Sequence, residues 1–308
     1  MKHSVKITLL LLGMFLVAQL IGLYVVHQYK PIVSQENNTQ GDIVNVTHYN
    51  LPYGMDPPAD VTPQSTLLSI IFAIIIAVSL MLILMKYHAE WLFRIWFFIV
   101  VALALGITFN AVLHSLPYSS IIAIIIALPL SFVKIFQRNI VAHNITEVLI
   151  YPGIAAIFVP LLNIWSIIVL LVIISVYDIY AVWHAGFMQK MAKYQIQKLR
   201  LFTGFFIPYI GKKEKQLIAQ AKASKSKNLN KKVKVNVAIL GGGDVVFPII
   251  CAGVVLMAMG LVQALIISLC ATAALALLFH YSKKGKFYPA MPFISAGCFI
   301  GLAIAYLI

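Results

Sequence analysis

Nine acidic residues are spread over 308 positions, and two of them stand where acids are costly. Asp178 lies in IISVYDIYAVW and Asp244 in ILGGGDVVFPII, both inside apolar runs. The others, Glu36, Asp42, Asp56, Asp60, Glu90, Glu147 and Glu214, fall in polar stretches or beside basic ones. An Asp at the centre of a membrane helix costs at least about 2.5 kcal/mol to insert. A hydrogen bond to a neighbouring helix would account for one such residue. Two at one depth can do chemistry. Two carboxyl groups sharing a dry site do not both ionise, so one holds a proton while the other is charged. The charged member can deprotonate a water attacking a peptide carbonyl. The protonated one can polarise the carbonyl oxygen and pass a proton to the leaving nitrogen. These roles belong to the pair and not to either residue.

The elements that must hold this pair are membrane spans. The chain is 62% hydrophobic and 10% charged, with a mean hydropathy of +0.96; soluble domains are nearer 45–50% apolar and about 25% charged. The expected fold is all-α and polytopic. Apolar runs long enough to cross a bilayer predict about nine helices near 7–26, 66–85, 92–113, 119–136, 147–162, 164–187, 235–259, 261–280 and 289–308. Asn163 and Gly260 mark the two shortest separations. The first run is read as a retained helix, because it is longer than a signal-peptide core and no small-residue cleavage site follows it. The organisation is then an N-terminal half, 1–187, with six helices and an outer loop, 27–65; a basic loop, 188–234; and a C-terminal half, 235–308, with three helices.

Placing the N-terminus inside puts Lys2, Lys6, Lys86, Arg94, Lys134, Arg138, the basic residues from Lys190 to Lys234, and Lys283, Lys284 and Lys286 on the cytoplasmic side. Only Lys30 falls outside. Such an asymmetry sets orientation and explains the net charge of +14 without a nucleic-acid partner. It also places the C-terminus outside. Within the basic loop, AKASKSKNLNKKVK has the composition of a disordered segment, and LFTGFFIPYIG suits the membrane surface. Sequons occur at Asn37, Asn45 and Asn144. Cys251, Cys270 and Cys298 show no metal-ligand or disulfide spacing, so neither metal nor cofactor is expected.

Helical rise puts Asp178 roughly 18 Å from Lys190 and Asp244 roughly 15 Å from Lys234, so the two acids reach similar depths on consecutive spans. Gly241, Gly242 and Gly243 allow close backbone approach. Pro248 removes the N–H that would bond the carbonyl of Asp244; irregular backbone at this depth belongs beside protein or water. Pro289 and Pro292 are expected to break the start of the last span and leave an extended stretch able to pair with a substrate strand.

Tyr177-Asp178, Gly241-Gly242-Gly243-Asp244 and Pro289-Ala290-Met291 resemble, in the proper spans, the YD, GxGD and PAL motifs of the presenilin and signal peptide peptidase family of intramembrane aspartyl proteases. The likeness covers the nine-span layout, with Met291 where the family usually has Leu. It implies that Asp178 and Asp244 are catalytic and that Pro289, Ala290 and Met291 line the site and help hold unwound substrate; Tyr177 is expected to flank the pair, and Gly241, Gly242, Gly243 and Pro292, through the backbone they open, to offer hydrogen bonds to the substrate. It further implies transmembrane proteins as substrates. The large inner loop is similar to that of presenilins in orientation, and the short loops resemble a prokaryotic, archaeal-type member of the cell membrane. Accessory subunits and homo-oligomers are both compatible with the family. The rival class is a proton-coupled transporter or cation channel using the same aspartates, which the lack of internal repeats weakens. No HExxH or GxSxG motif points to another protease type.

Overall fold

The structure is a computed structural model and describes residues 5–37, 43–57, 63–87, 90–137, 139–183, 203–209, 236–282 and 288–308. Within them the chain forms nine main helices: α1 Val5–Gln28, α2 Pro63–Tyr87, α3 Glu90–Val112, α4 Ser119–Phe136, α5 Ile140–Phe158, α6 Ile164–Trp183, α7 Gly242–Ala258, α8 Leu261–Tyr281 and α9 Met291–Leu307. Seven are long and apolar enough to cross a membrane, and α7 and α9 are shorter. The fold is all-α and polytopic, with two small hairpins added: β1 (Ile32–Asn37) with β2 (Ile43–His48), and β3 (Gly204–Tyr209) with β4 (Asn236–Gly241).

Both short separations are real. After α5 a 3₁₀ turn covers Val159–Leu161, and the Asn163 side chain accepts the Ser166 N–H at 2.8 Å, which starts α6. Between α7 and α8, Gly260 has φ +121°, a conformation open chiefly to glycine.

Three expectations need correction. The fifth helix begins at Ile140, not 147, because the Asn139 side chain caps it by accepting the N–H groups of Val141 and Ala142. Glu147 therefore belongs to a helix and is buried, instead of lying by a loop. The seventh span is not helical from 235: residues 236–241 are strand β4, and the helix starts only at Gly242. Finally, the apolar patch, expected as an irregular interruption of the basic loop, forms strand β3 over 204–209 and pairs with β4, with Phe205 fully buried. The disordered-type stretch 221–234, and the loop residues other than 203–209, lie outside the described residues.

Helix α7 occupies the centre, touching α1, α5, α6, α8 and α9. It is buried almost all round from Pro248 to Leu256, as expected of a helix apolar on every face. The largest cluster of buried side chains joins α1, α5, α6, α7, α8, α9 and the β3–β4 hairpin. Helices α8 and α9 pack through Gly297 and Gly301: a Cβ at Gly297 would stand 2.6 Å from that of Ala274, and one at Gly301 2.8 Å from the Ile267 Cα. This is small-residue packing as membrane helices use it. Just past the C-terminal end of α1, the Tyr29 hydroxyl donates to the Ile107 carbonyl at 2.8 Å and accepts from Asn110 at 3.0 Å. Burial pushes the Tyr29 hydroxyl up to about 12.

Candidate active site

Asp244 is the third residue of α7, and the helix begins there for a local reason. Gly241 is extended, with φ −63° and ψ 147°, and acts as N-cap. The Asp244 carboxylate turns back and accepts the Gly241 N–H. That is half of a capping box, in which an acid at the third position satisfies a backbone donor left over at the helix start. The glycines thus convert strand β4 into α7; they are not a helix-packing stripe. Gly242 N–H continues the ladder to the Thr203 carbonyl at 3.3 Å.

Asp178 sits in the last two turns of α6 and is buried. Its carboxylate accepts the Met291 N–H at 3.1 Å and also the Ala290 N–H. These donors lie at the N-terminus of α9, where backbone N–H groups lack intrahelical partners and favour negative charge. The Ser175 hydroxyl donates to Ser295 at 2.9 Å and adds a second tie between α6 and α9. The two carboxyls lie near enough to interact electrostatically.

The remaining predicted residues divide. Gly241, Ala290 and Met291 touch the acids through their backbones. Gly242 is buried against α5, while Gly243 is exposed. Pro289 is buried beside them. Tyr177 precedes Asp178 but is 43% exposed. Pro292 departs from expectation: it stands in the first turn of α9, where its missing N–H costs no helical bond. It does not break that turn, and it lines an apolar groove with Ala274, Leu277 and Gly297 on the α8–α9 surface. Pro248, by contrast, lies inside α7 as expected and frees the Asp244 carbonyl.

A family model described as signal-peptide peptidase, presenilin aspartyl protease matches residues 47–308. The chain belongs to this family. It is accordingly an integral membrane protease of the aspartic endopeptidase class. Two solved structures, each titled as that of a presenilin family intramembrane aspartate protease, share its fold. One, in a C222 space group, aligns with TM-score 0.60 at 16% identity, covering 97% of this chain and 98% of that one. The other, in P2, aligns with TM-score 0.59 at 17% identity and 96% coverage of each. Among curated proteins nothing matches.

Three polar residues not expected at the site brace the elements that carry or flank Asp244. Gln19 of α1 is fully buried, and its Nε2 donates to the Val245 carbonyl at 3.1 Å, one residue beyond Asp244. On α5, His143 Nε2 bonds the Gly204 carbonyl at 2.9 Å. Asn144 both donates to the Phe206 carbonyl and accepts its N–H, each at 2.9 Å. The Asn144 sequon is therefore occupied in holding β3. The signal for Gln19 and Asn144 was their polarity within or beside apolar runs, the same signal that singled out the aspartates.

Proposed function

We propose that Asp178 and Asp244 are the catalytic pair of an intramembrane endopeptidase that hydrolyses peptide bonds in transmembrane segments with an activated water. The observation that carries this reading is their union: one acid at the end of α6 and one at the start of α7, within electrostatic reach, each addressed by backbone N–H groups. One carboxylate takes the proton of the attacking water. The other, protonated, hydrogen-bonds the scissile carbonyl. Which acid does which is a property of the pair.

A membrane-spanning substrate arrives as a helix with its carbonyls shielded, so it must unwind before attack. The β4 edge supports this step. Phe206 spends its N–H and C=O on Asn144, so the pair Phe206–Ile239 exchanges no ladder bonds. By antiparallel alternation, Ile239 and Val237 turn their own N–H and C=O away from β3. They lie just ahead of Asp244 and can receive an extended substrate segment as an added strand. Extended backbone at 289–292 is not needed for this role.

The N-terminus and the basic loop face the cytoplasm and the C-terminus faces outward, by the lysine asymmetry; the cell is prokaryotic and of archaeal type, by the short loops.

The test is reconstitution with a single-span substrate and fragment masses by mass spectrometry. Wild type is expected to cut within the span. An absence of fragments, together with solute or ion flux that depends on the same acids, would replace the protease reading with a transporter or channel.

A further inference from the structure

Lys134 and Glu147 place an ion pair between α4 and α5 with each side chain only 2% exposed. A buried pair is a poor source of stability, because the desolvation of both charges offsets their attraction. Its geometry gives it another use. One Glu147 oxygen takes the Lys134 ammonium, and the other takes the Tyr151 hydroxyl one turn further along α5. An ionised carboxylate only accepts, so the Tyr151 O–H must point at Glu147. Its oxygen is thereby fixed in place. His143, which faces Glu147 at 3.9 Å, is held on the Gly204 carbonyl.

That oxygen is what α7 meets. Tyr151 is 3% exposed, and a Cβ at Gly242 would stand 2.9 Å from its hydroxyl and 3.0 Å from Cε1. The Tyr151 ring is edge-on to Phe205 of β3, with centroids 5.8 Å apart. The side chain therefore wedges against the strand-to-helix junction two residues before Asp244. Only a glycine at 242 leaves room for it.

We propose that Tyr151 is a positioning residue for Asp244: pinned by the Lys134–Glu147 pair, it sets how the first turn of α7 seats on α5 and so where the Asp244 carboxylate stands relative to Asp178. This rests on the reading of Asp244 as catalytic. The ion pair then serves precision and not stability, since a catalytic group displaced by about 1 Å can lose on the order of 100-fold in rate.

The experiment compares wild type, Tyr151→Phe, Gly242→Ala and Asp244→Asn in bilayers, by cleavage kinetics, thermal midpoint and hydrogen exchange of peptides spanning 240–248 and 250–258. Tyr151→Phe keeps the ring and is expected to lower kcat about 10-fold. Its KM and melting midpoint should stay near wild type, and exchange should rise in 240–248 only. Gly242→Ala should show the same pattern, because the added methyl meets the pinned hydroxyl. A Tyr151→Phe protein with wild-type kcat and wild-type exchange in 240–248 would overturn the proposal. So would a fall in melting midpoint with kcat per folded molecule unchanged, the mark of a merely structural bond. If wild type itself does not cut, the catalytic reading fails, and exchange in 240–248 alone decides whether Tyr151 seats α7.

Discussion

Asp178 and Asp244 were legible as residues because charge in an apolar run is rare and costly. Their partners were not, since a backbone N–H leaves no mark in a sequence. Nothing in Pro289-Ala290-Met291 says that two of its amides will meet Asp178. Glu147 and Lys134 were hidden for a different reason: near predicted span ends they pass for loop charges, and only the Asn139 cap moves Glu147 inside a helix. At this scale Gln19 offers a direct test. It is fully buried, and its amide holds the carbonyl next to Asp244. Gln19→Leu removes that bond and also the Oε1 acceptor, which has no partner among the described residues. Loss of one net hydrogen bond is worth about 1 kcal/mol, so the protein should remain folded, with turnover reduced several-fold in the cleavage assay.

Among the elements, the helices were readable from apolar length, and the β3–β4 hairpin was not. A continuous apolar run does not distinguish helix from strand by periodicity alone. Strand β4, Asn236–Gly241, lies within such a run. Its partner strand lies across a long loop, a pairing that local patterns do not encode. The hairpin predicts that Ile239→Pro, which deletes one N–H on the edge away from β3, will abolish cutting while leaving the melting midpoint within a few degrees of wild type; retained cutting would remove β4 from substrate binding. Pro292→Ala should cut at nearly the wild-type rate, because Pro292 sits in the first turn of α9 and outside the acid pair. The clamp that Tyr29 makes with Ile107 and Asn110 has a pH signature. Because burial raises Tyr29 to about 12 from 10.0, the unfolded chain loses this proton first as pH rises. The clamp's contribution is complete below pH 10 and declines towards pH 12, measurable as a falling melting midpoint that Tyr29→Phe should flatten.

For the whole molecule, the all-α polytopic membrane protein follows from composition and span counting, and the family match and fold likeness agree with it. Its compactness comes from features smaller than a span, such as Gly297 and Gly301 bringing α8 and α9 into backbone contact. Gly297→Leu should cost about 1–3 kcal/mol by overpacking, read as a lowered thermal midpoint in detergent. Orientation is testable as a whole: single cysteines at 227 in the basic loop and at 57 in the outer segment, in a background without Cys251, Cys270 and Cys298, should label from the inner and outer sides respectively with an impermeant maleimide.

The central claim is that two acids from different helices act as one unit, and the most direct measurement of it is the cleavage rate of Asp178→Asn, Asp244→Asn and the double variant in one bilayer system. Residues acting as a unit give strongly non-additive losses, so each single variant is predicted to be as inactive as the double. A single variant that still cuts measurably faster than the double would contradict the account.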